Sequence, residues 1–291
     1  MRIRDLYDRP VPTISFEYFP PKSAGDEEKL LRETTAGLKA LAPAFISVTY
    51  GAGGGTRDNT LRIVNRIRRE YAIDAMPHLT CVGHTRDDLI GIMKEIEAGG
   101  IENVLCLRGD PPKGETEFHA VEGGFHYAVD LIRFVKGLGA PFCVGAACYP
   151  EGHVECRHKH DDWDIAAAKV EAGAEFLITQ LFYDWSDFLD MEDYLRQKRG
   201  VKVPIVPGIL PFLKAEQIKR FTTLCGSRLP QPMARKIEQY AGDDESVRKY
   251  GVEVCTALCE RLMNRVAGFH FYCLNRVQSS AEVLRNLGLA K

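Results

Sequence analysis

Five stretches carry side chains whose types and spacing could do chemistry. In ISFEYFPP, Glu17 stands alone among Phe16, Tyr18 and Phe19. A carboxyl group removed from water tends to have a raised pKa, which suits a general acid near neutral pH. The other reading is a structural glutamate paired with an arginine. In IENVLCLRGDPP an apolar run stops at Arg108, Gly109 and Asp110, followed by Pro111 and Pro112. Arginine offers a planar cationic fork and aspartate an anion, the glycine lets backbone approach a ligand closely, and the prolines stiffen the exit. An internal Arg108–Asp110 salt bridge is the alternative. Gln180 in FLITQLFYD is an uncharged donor and acceptor inside an apolar run, suited to reading a heterocycle or to satisfying the core. His78 in AMPHLTC could ligate a metal, bond a ligand or pack as a core histidine. CYPEGHVECRHKHDD gathers Cys148, His153, Cys156, His158 and His160, the donor types of a metal-dependent hydrolase. Their spacing fits no usual zinc pair, and Arg157 and Lys159 between them would repel a cation, so no metal is expected. Cys255 and Cys259, one helical turn apart among Val, Ala and Leu, fit core packing better than a metal site.

The elements that must position these groups follow from the apolar pattern. The runs TISFEYF, FISVTYGA, AMPHLTC, NVLCLRG, FCVGAACY, FLITQLFY, VPIVPGIL and FHFYCLN read as eight strands, separated by segments of helical period. In TRDDLIGIMKEIEAGG, Thr85 is the N-cap with Asp88 three residues on. Leu89, Ile92, Met93 and Ile96 share a face, and Gly99-Gly100 is the stop. Leu30, Leu31, Leu38 and Leu41 stripe a first helix after Asp26; Leu61, Val64 and Ile67 stripe the second; Phe188, Met191 and Leu195 fit the sixth. Near-continuous apolar strands joined by helices imply parallel crossover units. No GxGxxG turn follows the first strand, so an α/β fold of the closed (β/α)8 TIM-barrel type is expected rather than a doubly wound sheet. Extra helices are expected between strands seven and eight, from PMARKIEQYAGDDESVRKYGVEVCTALCERLMNRVAG. No linker or low-complexity tract interrupts the chain, so residues 1–291 are read as a single domain.

A barrel of this type binds its ligands at the C-terminal ends of its strands. Glu17, Thr49, His78, Arg108 to Asp110, Tyr149 and His153, Gln180, and Asn275 with Arg276 all close or follow such runs. Alternation places Ser15 and Glu17 toward the barrel interior and Ile14, Phe16 and Tyr18 toward the helices.

Composition limits the context. Hydrophobic residues make up 45% of 291 and the net charge is -2, so no nucleic-acid or membrane surface is implied. No apolar signal region opens the chain, and no run approaches the roughly 18 residues that span a bilayer. The nine cysteines are odd in number and lie mostly in apolar segments. They read as reduced thiols of a cytoplasmic protein, a setting that excludes cell adhesion by Arg108-Gly109-Asp110.

SFEYFPP, FISVTYGAGG, PHLTC, LRGDPP, YPEGH, LITQLFYD, PGILP and HFYCLNR occur in that order over nearly the whole chain. Together they resemble the methylenetetrahydrofolate reductase family. The resemblance implies a barrel with non-covalent FAD, reduced by NAD(P)H in a ping-pong cycle and then reducing 5,10-methylenetetrahydrofolate to 5-methyltetrahydrofolate. It further implies that Glu17 is the general acid and that Asp110 stabilises the cationic folate intermediate and tunes the flavin. FAD would be contacted by Thr49, His78, Arg108, Gly109, Asp110, Ala128, Ala147, Tyr149, His153, Asp162 and Lys169. Gln180 would read the pterin, with Gln217, Phe221 and Arg276 near folate or nicotinamide. A homo-oligomer is expected, and NADH, NADPH or a partner protein as electron source. Ile165 and Ala168 replace polar or basic family residues, so weakened FAD retention is expected. The chain ends one helix after strand eight, so control by S-adenosylmethionine through a C-terminal regulatory domain is not implied.

Overall fold

Period-two alternation in the first apolar run produces β1 (Thr13–Tyr18), with Ile14, Phe16 and Tyr18 buried in the layer between strands and helices. The computed structural model describes residues 1–21, 23–50, 57–111, 114–115 and 117–290. The Gly51–Gly54 part of the second strand's motif and Pro112 lie outside the described residues.

The other strands are β2 (Phe45–Val48), β3 (Ala75–Thr80), β4 (Asn103–Leu107), β5 (Cys143–Cys148), β6 (Phe176–Thr179), β7 (Ile205–Val206), β8 (Gly208–Ile209) and β9 (Gly268–Tyr272). All pair in parallel, in the order β7-β6-β5-β4-β3-β2-β1-β9-β8. The eight expected strands are therefore present, with the seventh divided at Pro207. Its first half pairs with β6 and its second half with β9, so the two ends of the strand order are one strand and the barrel closes there. Pro207 has no N–H to give, but its carbonyl accepts from His270 N at 2.9 Å. Gly208 allows the closure: a Cβ there would run into the Thr179 carbonyl oxygen and lie 2.6 Å from the Tyr272 ring.

Helices follow the strands as their patterns predict. Thr85 forms the full capping box with Asp88 ahead of the helix Arg86–Ala98. The helical segment that follows β1 starts earlier than expected, at Ala24. Ser23 is its N-cap because the hydroxyl accepts from Asp26 N, which makes Asp26 a first-turn residue. Three helices, Ala215–Cys225, Gln231–Gln239 and Asp244–Leu262, lie between β8 and β9.

Two apolar layers result. The larger lies between barrel and helices; the smaller fills the lower interior with Phe45, Met76, Leu105, Cys143, Phe176, Ile178 and Val206. An N-terminal turn, Ile3–Leu6, plugs that lower end with Ile3, Leu6 and Tyr7. Asn103 fixes the plug, accepting from Ile3 N at 2.7 Å and donating to the Met1 carbonyl at 2.8 Å. With the bottom sealed by hydrocarbon, the polar interior is confined to the other end. No helix of the described residues is long and apolar enough to cross a membrane.

Candidate active site

Glu17 points into the barrel as its register predicts, and it is only 6% exposed. Its neighbours come from three other strands. Ser47 Oγ donates to Glu17 Oε2 at 3.4 Å, and His270 Nε2 lies 3.5 Å from the same oxygen. His78 Nε2 stands 3.3 Å away but without hydrogen-bond alignment. The expected raised pKa is not what this arrangement produces. Burial pushes the carboxyl up, but the hydrogen bond from His270 and the nearby charge of His78 outweigh it, holding Glu17 at about 2. Nor is Glu17 paired with an arginine: its partners are imidazoles and a hydroxyl. His78 is accordingly a neighbour of the buried carboxylate rather than an isolated packed ring.

The exit of β4 differs from the internal salt-bridge alternative. Arg108 turns away from Asp110 and makes a bidentate pair with Glu155, at 2.5 and 2.7 Å, while its guanidinium covers the Phe118 ring. Gly109 has φ +90°, and a Cβ on it would meet Val82 Cγ1 at 2.7 Å, so only glycine fits this turn. Asp110 is thereby left exposed at the mouth, with no hydrogen bond or ion pair among the described residues. Cys225, at the end of the helix Ala215–Cys225, is pushed up to about 11 by burial and then by the charges of both Asp110 and Glu17. Both carboxylates are thus within electrostatic reach of Cys225.

A second polar group lies beyond β5. Tyr149 meets the His153 ring edge-on at 4.9 Å, with Lys169 Nζ 5.6 Å from the Tyr149 ring centre. Lys169, 8% exposed, donates to the Ala147 carbonyl at 2.8 Å. Burial pushes Lys169 down and Asp162 up, and the charge of each partly restores the other. Asp162 Oδ2 is buried without a hydrogen-bond partner. Such an orphaned acceptor beside a buried cation suits a large polar ligand. The donor types fit the sugar, phosphate and ring atoms of a dinucleotide such as FAD. Thr49 is half-buried at the end of β2, and Ala128 opens the helix Ala128–Gly137.

The remaining expected residues surround the mouth unevenly. Gln180 follows β6, its side-chain oxygen accepting from Leu181 N at 2.9 Å, which leaves the amide NH2 for a ligand. Gln217 caps Leu213 N at 3.2 Å, and Phe221, one turn further along the same helix, is half-buried against the core. Arg276 is exposed after β9. Asn275, with φ 57°, clasps Phe19 through both its amide atoms, joining the exits of β9 and β1.

The stretch from Cys148 to His160 is dispersed. Cys148 is buried, His153 meets Tyr149 edge-on, and His160 packs against Trp163 and Tyr194. Among the described residues no three His, Cys, Asp or Glu side chains converge as a metal site. The metal-hydrolase alternative is not supported, because helix entry at Lys159 separates His153 from His160. All nine cysteines are free thiols.

The family model described as methylenetetrahydrofolate reductase matches residues 2–288. This chain belongs to the methylenetetrahydrofolate reductase family. Methylenetetrahydrofolate reductase (NADH) 1 of Zea mays is 37% identical over 287 residues, which are 95% of this chain and 48% of that protein. The 5,10-methylenetetrahydrofolate reductase of Salmonella typhimurium is 35% identical over 277 residues, 95% of this chain and 90% of that protein. The chain thus spans about half the length of the plant relatives it matches. Among solved structures, a Clostridium thermocellum protein that binds two copies of 5-methyl-5,6,7,8-tetrahydrofolic acid superposes with a TM-score of 0.65 at 17% identity, covering 99% of this chain and 96% of that one. Phosphoenolpyruvate phosphomutase from Streptomyces platensis subsp. rosaceus gives 0.53 at 12% identity, covering 98% and 87%. These likenesses concern the barrel.

Within this methylenetetrahydrofolate reductase fold, sequence reading passed over His270 and Ser47, both in contact with Glu17, and Glu155, the partner of Arg108. His270 had a signal: in FHFYCLN the polar members 270 and 272 alternate with aromatic 269 and 271, which marks them as inward-facing. Glu155 had none, because its partner lies 47 positions away.

Proposed function

We propose that this protein reduces 5,10-methylenetetrahydrofolate to 5-methyltetrahydrofolate, using non-covalently bound FAD and a nicotinamide nucleotide in alternation. The observation that carries the reading is the buried carboxylate of Glu17 at the end of β1, with a second carboxylate, Asp110, exposed at the exit of β4. Family membership supports the reaction, and the NADH in the name of the Zea mays relative favours that nucleotide. FAD, when bound, supplies two-electron transfer between donor and folate.

The chain's own residues perform the rest. Gly109 admits the flavin edge, while Asp162, Lys169, Tyr149 and His153 hold the nucleotide side, assisted by Thr49, His78, Arg108, Ala128 and Ala147. Gln180 offers its free NH2 to the pterin, and Gln217, Phe221 and Arg276 flank the outer part of the shared folate and nicotinamide site. Asp110 faces the cation that forms when the imidazolidine ring opens. Glu17 gives a proton to the leaving nitrogen. Free thiols throughout suit a cytoplasmic setting.

The purified protein should be yellow, release flavin on denaturation, bleach with NADH and recover its colour on adding methylenetetrahydrofolate. A colourless protein that takes up no FAD rejects the proposal. Removing the buried cation in Lys169→Met should weaken FAD binding roughly 10–100-fold, the worth of a hydrogen bond to a charged group. Ile165, 42% exposed on the same helix, adds no polar contact there, so the unmutated protein should also shed part of its FAD at nanomolar concentration. Fluorescence of released flavin on dilution measures both; equal retention by the wild-type and Lys169→Met proteins overturns the assignment of Lys169.

A further inference from the structure

His270 is fully buried, charged or neutral according to its proton count, and has no part in the reaction as described so far. Its hydrogen bonds fix much of its state. Nδ1 lies 2.8 Å from Ser15 Oγ, and Ser15 donates its own hydrogen to the Phe269 carbonyl at 3.4 Å. With the Ser15 hydrogen directed at that carbonyl, the hydroxyl accepts from the ring and Nδ1 carries a hydrogen. Nε2 is the variable atom. It stands 3.3 Å from Ser47 Oγ and 3.5 Å from Glu17 Oε2, while Ser47 Oγ stands 3.4 Å from that same carboxylate oxygen.

Ser47 has one hydrogen and two acceptors within reach, and two of the arrangements this allows differ by moving one proton between Nε2 and Glu17. With Nε2 protonated, His270 and Ser47 both donate to the Glu17 carboxylate. With the proton on Glu17, Nε2 is bare and accepts from Ser47. We infer that the proton consumed in the folate step rests on Nε2 of His270 and reaches substrate through Glu17, with the Ser47 hydroxyl turning from Glu17 to His270 as it leaves. The inference deepens the reductase reading above and rests on it.

The balance is simple. The Nε2–H bond breaks as an O–H bond forms on Glu17. That O–H bond breaks as the departing nitrogen gains its hydrogen and keeps the electron pair of the severed carbon–nitrogen bond. A proton from water refills His270 before the next turnover. Glu17 is the catalytic residue; His270 and Ser47 are positioning residues that act through it. The surroundings permit the transfer. Ser15 and Glu17 face His270 from β1, Phe45 and Ser47 from β2, and Pro207 with Gly208 from the closing strand; His78 of β3 reaches the same Glu17 oxygen. Tyr272 meets the ring edge-on on its own strand, Tyr7 lies beneath Ser15, and the thiols of Cys225 and Cys273 lie on the Glu17 side. Of these, Glu17 and His78 are the groups whose charge competes for the proton.

The test uses the whole FAD-loaded chain. Nitrogen-15 NMR of labelled histidine should find the proton on Nε2 of His270 in the wild-type protein, and Glu17→Gln should hold it there less, because the anion that held it is gone. In stopped-flow experiments His270→Gln and Ser47→Ala should leave flavin reduction by NADH within a factor of about two. The alkaline limb of the folate half-reaction should move to lower pH, by about one unit in His270→Gln, because a two-site proton store has become a one-site store. Ser47→Ala, the smaller change to the core, should shift it in the same direction by less. A bare Nε2 in the wild-type protein, or unchanged limbs in both variants, overturns the inference. Failure of the unmutated protein to reduce folate would instead reject the reductase reading, and the NMR result would still report where the proton sits.

Discussion

Glu17→Gln is expected to retain bound FAD and its reduction by NADH while losing methylenetetrahydrofolate reduction by about 10²–10⁴-fold, the range a positioned general acid supplies. The separation follows from the chemistry of the two half-reactions. Moving a hydride from nicotinamide needs no ring-opening acid, whereas breaking the carbon–nitrogen bond of the folate does. Glutamine keeps the shape of Glu17, and its amide can still meet Ser47, so the barrel wall is not disturbed by a cavity. Stopped-flow absorbance resolves both steps. A parallel fall in both rates would show that Glu17 holds the barrel or the flavin, and no fall in either would assign the acid elsewhere. The cluster also fixes a sign for acid stability. Because the folded carboxyl is depressed to about 2, its stabilising contribution is present above the ordinary glutamate range and is lost as pH falls through the folded value.

Asp110→Asn should have the second-largest effect. Asp110 has no hydrogen-bond or ion-pair partner among the described residues, so the substitution removes a charge without breaking a contact. Without that anion at the mouth, the flavin should be easier to reduce, and the cation formed from folate less stable. The folate half-reaction should fall by roughly 10–100-fold, the scale of one lost electrostatic contact of about 1.4–2.7 kcal/mol in the transition state. The nicotinamide half-reaction should fall less. A spectroelectrochemical titration together with the two half-reaction rates checks this. An unchanged potential with both rates at wild-type values would make Asp110 a surface residue of the β4 exit and no more.

The sequence determined the alternation of strands and helices, the closed parallel barrel, the inward phase of Glu17 and the turn at Gly109. These depend on near neighbours. A period of two or 3.6 residues is set by the backbone, the capping box of Thr85 and Asp88 spans three positions, and a glycine at positive φ answers to its own conformation. Because the strands of a barrel end on one face, the ends of those runs also marked out the candidate site. What only the tertiary structure decided is the company each side chain keeps. Glu17 read as an isolated buried acid with a raised pKa, yet closure of the barrel at the divided seventh strand brings in His270, 253 positions away, along with Ser47 and His78. Arg108 and Asp110 read as ligand groups with an internal salt bridge as the alternative, and the structure removes the alternative: the turn at Gly109 directs the two apart and Glu155 takes the guanidinium. The metal-like stretch from Cys148 to His160 looked clustered along the chain and is spread out by its own helix. Pairwise electrostatics falls off with distance in space, not along the chain, so the protonation of Glu17 and the freedom of Asp110 were settled only once the barrel had closed.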